Sequence, residues 1–367
     1  MVYRVIGTMS GSSLDGLDMV FSELEERGGK WSYKIIAAAC LPYSADWKEK
    51  LSRAIELNAK DYLLLHSEYG HYMGRQLNAF IEQNELQYQV GLIASHGHTT
   101  FHLPPFMTGQ LGCGAAIAAE TNLPVVNNLR AMDLAYGGQG APIVPVGEKY
   151  LLGEYGYFLN IGGIANISAN TKEGYIAFDI CPANRVMNLL VAEQGLEYDA
   201  GGAIAAGGVV NISLLEKLNA FSYYNRAYPK SLANDFGTDT IYPLIRQSGL
   251  SIADSLRTYV EHIAQQVRKS VVMILARQGE VQAADARMLV SGGGAFNTFL
   301  AGRISELLAP LQLQAIVADE LLANYKEALI MGFLGVLRWR EEPTVMSSVT
   351  GASKDSVGGA LWMTAGR

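Results

Sequence analysis

Apolar positions along this chain follow two alternating patterns: short runs of β-branched and aliphatic residues, and longer stretches in which they return at helical spacing. The short runs predict strands at Val2 to Ile6, Tyr33 to Ala39, Val90 to Ser95, Leu123 to Asn127, Gly156 to Ile161, Tyr175 to Asp179, Met288 to Ser291 and Leu313 to Val317. Helices are expected between them. The clearest is Ile252 to Gln278, where Leu256, Val260, Ile263, Val267, Val271 and Ile274 share one face. The stretch from Leu321 to Leu337 comes nearest to a membrane span, but Asn324, Lys326 and Glu327 interrupt it, so it reads as a buried helix. The alternation predicts an α/β protein. A break in pattern falls at Tyr136 to Pro145 (YGGQGAPIVP), where glycine and proline end one unit before a new strand pattern begins.

Length and composition sharpen this picture. A chain of 367 residues exceeds what one core usually organises, and 49% apolar with 17% charged residues describes a well-packed globular protein. A net charge of −7 without a Lys/Arg cluster argues against nucleic acid and against an anionic membrane surface. Three widely spaced cysteines, Cys40, Cys113 and Cys181, fit neither a disulfide framework nor a CxxC metal site. With the chain entering a strand at Val2 rather than a basic and apolar leader, a reducing cytoplasm is the expected location.

The chemistry concentrates in three glycine clusters at predicted strand ends. IGTMSGSSLDGLD (Ile6 to Asp18) sets glycines, hydroxyls and two carboxylates after a strand, an arrangement that turns backbone N–H groups toward an anion. An ordinary turn would use the same residue types. LNIGGIANIS (Leu159 to Ser168) repeats the layout as strand, double-glycine turn and strand, with Asp179 ending a third strand. LVSGGGAFN (Leu289 to Asn297) leads from a strand into a helix N-terminus. Ligands of open α/β sheets collect at such strand ends. Two halves of similar layout, each with a glycine turn, would clamp a nucleotide between lobes. Asp15 and Asp18 suit a hydrated Mg²⁺ or a substrate hydroxyl, and Asp179 suits a general base, with a helix N-cap as its alternative. His96, His98 and His102 lack acidic or cysteine company, so hydroxyl recognition or packing explains them better than a shared metal ion.

These segments, together with SHGHTTFH (Ser95 to His102), GGQGAP (Gly137 to Pro142), FDICPAN (Phe178 to Asn184), PKS (Pro229 to Ser231) and YKEAL (Tyr325 to Leu329), resemble in order and over the whole chain the motifs of the anhydro-N-acetylmuramic acid kinases. The resemblance implies the sugar kinase, Hsp70 and actin superfamily: two RNase H-like lobes around a nucleotide and sugar cleft, the first at 1–138 with 340–367 packing back on it, the second at 139–339. It implies ATP and Mg²⁺, a homodimer, and a reaction in which the 1,6-anhydro bridge opens while O6 is phosphorylated. Asp179 would take a proton from the water that attacks the anomeric carbon. Gly11, Ser12, Ser13, Leu14, Asp15, Gly16, Leu17, Asp18, Gly162, Gly163, Asn166, Gly292, Gly293, Gly294 and Asn297 would hold the nucleotide. His98, Thr99, Arg130, Asp133 and Glu327 would hold the sugar, with no direct metal ligand assigned. Arg130 suits the lactyl carboxylate of a muramic acid, or else an ion pair with Asp133; Glu327 sits near the substrate, or pairs with Lys326 or Lys149.

Three segments depart from the family pattern. Asp179-Ile180-Cys181-Pro182-Ala183-Asn184 stands where DTGPGN is usual, Asn128-Leu129-Arg130 replaces DFR, and PKSLAND lacks Gly-Arg-Glu after PKS. If the lost glycines held positive φ, Cys181 and Ala183 would be strained. An ATP-binding conformational switch, or an inactive sugar-binding relative of the same fold, are the alternative functions.

Overall fold

The computed structural model describes residues 1–11, 13–171, 174–233, 235–278 and 286–365. The chain forms two compact units, Met1–Gly153 with Tyr325–Arg367, and Glu154–Asn324. The first unit therefore keeps the chain past the glycine-rich stretch at 137–140, and recovers it before 340. The reason is local. Helix Val144–Leu151 is tied to helix Glu320–Trp339 by a buried ion pair of Glu148 with Lys326 at 2.9 Å, and Gly147 lets Ile330 press against its backbone.

The first unit is built on β1 (Val2–Ser10), β2 (Gly16–Arg27), β3 (Lys30–Pro42), β4 (Leu92–Leu103), β5 (Met107–Leu111) and β6 (Val125–Asn127). Strand β2 falls where the expected pattern placed no strand. Its first half, Gly16–Ser22, is buried at all but one position, so it lacks the alternation that marks a strand with one wet face. The sheet runs β6-β4-β1-β2-β3, with the short strand Ala360–Trp362 outside β6 and β5 pairing only β4. Strands β1, β4 and β6 are parallel, while β2 and β3 are antiparallel to their neighbours.

The second unit contains β7 (Tyr157–Ile161), β8 (Ile164–Thr171), β9 (Gly174–Pro182), β10 (Ala286–Ser291) and β11 (Leu313–Val317), in the order β11-β10-β7-β8-β9. Strands β7, β10 and β11 are parallel, and β8 and β9 are antiparallel. With the β5 hairpin set aside, both sheets read fifth, fourth, first, second, third, with the same sense at each pair. This shared topology matches the expected pair of RNase H-like lobes. Helix Ile252–Gln278 covers the stretch its periodicity predicted, and all six residues of its apolar stripe are fully enclosed. Burial of each such side chain contributes about 1.5–3 kcal/mol.

Each sheet carries a β-bulge near its chemistry. Thr8 pairs with Ser95 and Ser10 with His98, so β4 has an extra residue at His96–Gly97; Ala165 pairs with Cys181 and Asn166 with Asp179, which leaves Ile180 extra in β9. Bulges of this kind re-aim the neighbouring side chains. Among the described residues no helix is long and apolar enough to cross a membrane.

Backbone contact between β1 and helix Glu320–Trp339 depends on Gly7, where an added Cβ would lie 1.9 Å from the Ala328 carbonyl oxygen and 2.5 Å from the Gly332 nitrogen. Gly7→Ala is expected to cost about 3 kcal/mol, the upper part of the range for overpacked cores, because backbone on both sides cannot yield. Denaturant unfolding checks this; an unchanged midpoint would show that the helix shifts freely.

Candidate active site

Strand register in the second unit builds a polar row. Ser291 stands opposite Asn160, Asn160 opposite Asn166, and Asn166 opposite Asp179. Directly paired residues project from the same face, so four strands contribute one polar group each to a single line. The Ser291 hydroxyl is enclosed and has no protein partner among the described residues. Asn160 was missed by sequence reasoning; its signal was its place opposite Asn166 across the double-glycine turn.

Asp179 ends this row just before the bulge. Its Oδ2 accepts from the Leu232 N–H at 2.9 Å, its own N–H donates to the Lys230 carbonyl at 3.2 Å, and its carbonyl accepts from the Tyr223 hydroxyl at 2.7 Å. Lys230 in turn donates to the Tyr223 carbonyl at 3.4 Å and lies over that ring at 4.8 Å. The PKS segment thus fixes backbone and carboxylate together. Oδ1 has no partner among the described residues. Burial pushes the carboxyl above the usual aspartate range, and the Leu232 amide opposes that rise. The N-cap alternative fails, since helix Asn184–Ala192 starts after Ala183 with no side-chain cap.

The glycines divide into two kinds. At Gly292 (φ +81°) and Gly294 an added Cβ would meet Asn160 Oδ1 at 2.6 Å and Ile161 Cγ2 at 2.3 Å, so packing demands them. At Gly162, Gly163 and Gly293 nothing lies closer than 3.6 Å, so packing does not. The Gly162 and Gly163 carbonyls accept from Asn184 and Ala183 N–H groups at 3.0 and 2.8 Å, while their own N–H groups find no acceptor among the described residues. Free amides on an open turn suit an anion. Asn297 has a structural task, capping helix Thr298–Leu308 by accepting from the Leu300 N–H at 3.0 Å. Cys181 and Ala183 do not hold positive φ, Ala183 lying at −132°, so the strain expected from the lost glycines is absent.

In the first unit the turn after β1 ends at Asp15. Ser12 lies outside the described residues, as does Asn234 of the PKSLAND segment. Ser13 and Asp15 are exposed, and Leu14 turns the chain with φ +59°. Gly16 and Leu17 belong instead to the β2 ladder, paired with Pro42 and Leu41; Leu17 is fully enclosed in the core, which removes its side chain from any nucleotide. Asp18 has its carboxyl raised, first by burial and then by the negative charges of Glu327 and Asp15, against a hydrogen bond from the Cys40 thiol. Glu327 is exposed. Lys326 pairs with Glu148, which frees Glu327 to act on Asp18 and on Arg130.

On the β4 side, His98 Nδ1 meets Ser10 Oγ at 3.0 Å, and Ser10 Oγ accepts from the Tyr43 hydroxyl at 2.8 Å. Thr99 Oγ1 accepts weakly from Gln110 at 3.4 Å. Arg130 is half-buried and makes no ion pair with Asp133; its Nε donates to His96 Nε2 at 2.9 Å and its Nη1 to the Gly140 carbonyl at 2.6 Å. Asp133, expected at the sugar, is wholly enclosed. Its Oδ1 accepts from Thr350 at 2.6 Å and its Oδ2 from the Gly140 N–H at 2.7 Å, so it anchors the glycine-rich stretch that supports Arg130. The nitrogens of His96 are both engaged, Nδ1 with the Gly97 carbonyl and Nε2 with Arg130.

The profile of a family described as "Anhydro-N-acetylmuramic acid kinase" matches residues 3–364. Relatives carrying that description include one from Gloeobacter violaceus, 32% identical over 95% of this chain and 96% of its own length. Others are from Photobacterium profundum, 31% identical over 98% and 99%, and Haemophilus influenzae, 31% identical over 97% of both chains.

Two substitutions separate open glycines from packed ones. Gly163→Ala is expected to keep the unfolding free energy within about 0.5 kcal/mol while weakening ATP binding by calorimetry, whereas Gly294→Ala loses about 1–3 kcal/mol of stability. Equal stability losses in the two variants would erase the distinction.

Proposed function

The chain belongs to the anhydro-N-acetylmuramic acid kinases, and from that premise we propose how its residues convert 1,6-anhydro-N-acetylmuramic acid, ATP and water into N-acetylmuramic acid 6-phosphate and ADP. It is an ATP-dependent sugar phosphotransferase of cell-wall recycling. Asp179 Oδ1 takes a proton from water, whose oxygen bonds to the anomeric carbon as the bond from that carbon to O6 breaks. O6 then bonds to the γ-phosphorus, and the β–γ bridging oxygen leaves with ADP. The observation that carries this reading is the Asp179 carboxylate, held at one oxygen by the Leu232 amide and unpartnered at the other among the described residues. A base needs that combination of fixed position and free lone pair. The free amides of Gly162 and Gly163 offer donors to phosphate oxygens, and Asn160 and Asn166 line the approach to Asp179.

On the first unit, Arg130 receives the lactyl carboxylate with the guanidinium edge that His96 and Gly140 leave open, and His98, Thr99 and Glu327 meet sugar hydroxyls. Asp18 feels the negative charges of Glu327 and Asp15, which suits a Mg²⁺ held through its water shell rather than by direct carboxylate ligation. Bound there, Mg²⁺ would neutralise phosphate charge. We further propose that the protein acts as a homodimer in the cytoplasm.

Asp179→Asn is expected to lower turnover by about 100- to 10,000-fold while ATP affinity by calorimetry stays within a factor of two or so. Product mass spectrometry in ¹⁸O-labelled water should place the heavy oxygen on the anomeric carbon and not in the phosphate; label in the phosphate would reject the water-attack step. Asp179 acts as the carboxylate, so activity falls as pH drops through its folded pKa. Because burial raises that pKa, the acid limb of the kcat profile should lie above the 3.8 of an ordinary aspartate.

A further inference from the structure

His96 belongs to the SHGHTTFH segment but has no part in the reaction above. It is 3% exposed, at the bulge in β4, and among the described residues its one ionisable hydrogen-bond partner is Arg130. We infer that His96 is a positioning residue for substrate recognition: a neutral imidazole of fixed tautomer that holds the Arg130 guanidinium in the orientation from which it binds the substrate carboxylate. This rests on the reading of Arg130 given above.

The tautomer follows from the acceptors. His96 Nδ1 lies 3.0 Å from the Gly97 carbonyl, and a carbonyl only accepts, so Nδ1 carries the hydrogen. Nε2 is then a lone pair, 2.9 Å from Arg130 Nε, and it accepts that N–H. Gly97 makes this possible: its φ of +73° turns its carbonyl back to the ring, and an added Cβ would lie 2.2 Å from the Leu111 carbonyl oxygen. With Nη1 donating to Gly140 at 2.6 Å, two of the three guanidinium nitrogens are fixed. Nη2 has no protein partner among the described residues and is not enclosed, so one edge of a rigid fork stays available to an anion. The charged groups acting on the imidazole are Arg130 and His98, and burial followed by the charge of Arg130 lowers its pKa to about 3. The clamp therefore stays closed across the pH range of activity.

The test uses His96→Leu, which fills the space without an acceptor, and His96→Gln, whose amide oxygen reaches the position of Nε2. In His96→Leu the KM for 1,6-anhydro-N-acetylmuramic acid should rise about 10- to 100-fold, with the KM for ATP unchanged. For 1,6-anhydro-N-acetylglucosamine, which lacks the lactyl carboxylate, the same variant should match the wild type. His96→Gln should recover most of the lost affinity. His96→Leu placed on Arg130→Ala should add nothing further. Equal losses for both sugars, a loss in ATP affinity, or a folded His96→Gln as impaired as His96→Leu would each overturn the positioning role. If Arg130→Ala itself leaves the sugar KM unchanged, the assignment of Arg130 to the carboxylate fails; if it raises the KM and His96→Leu does not, only the positioning role fails.

Discussion

Strand register is the constraint on which the second unit's chemistry depends. Ser291, Asn160, Asn166 and Asp179 come from four strands that are distant in sequence, and only the pairing of β10, β7, β8 and β9 makes them neighbours. Side chains alternate along a strand, so a slip by one residue would send Asn166 into the core and Ile167 into its place. The cost of exposing Ile167, Phe178 and Ile180, all enclosed, is what keeps the polar row in position. Packing energy thus holds these polar side chains in line. The bulge at Ile180 directly follows the carboxylate, where the PKS segment runs beside Asp179, and the ladder resumes at Cys181.

The departures from the family pattern look milder in three dimensions than in sequence. Cys181 and Ala183 are wholly enclosed and neither holds a positive φ, so a side chain at either position faces the core. What the turn needs is supplied elsewhere, by Gly162 and Gly163, whose carbonyls are taken by the amides of residues 183 and 184. Exchanging glycines for Cys181 and Ala183 leaves those amides where they are.

Charge is handled differently in the two units. Around Asp179 a single carboxylate is desolvated and restrained by an amide, which favours proton transfer. Around Asp18, Asp15, Glu327 and Arg130 charges of both signs interact, half in water, which favours binding of charged ligands. Two buried groups hold this second arrangement in place without touching its open surface. Asp133 fixes the loop that supplies the Gly140 carbonyl, and Lys326 with Glu148 fixes the helix that presents Glu327.

Most strands, the long helix at Ile252–Gln278 and the glycine clusters were legible in the sequence, because periodicity and turn chemistry are local properties. Strand β2 was not, since a segment buried on both faces has no alternation to read. Asp179, Gly162 and Gly163 could be singled out from residue type and neighbours. The roles of Leu17, Asp133 and Asn297 could not: a ladder position, an enclosed anchor and a helix cap differ from ligand contacts only in what surrounds them. The pairing of His96 with Arg130, and of Lys326 with Glu148 rather than an adjacent acid, arises from contacts across long stretches of chain. Sequence by itself determined the candidates for chemistry and which turns bend; the tertiary structure decided which of them meet, because hydrogen bonds form between neighbours in space and the core's packing chooses those neighbours.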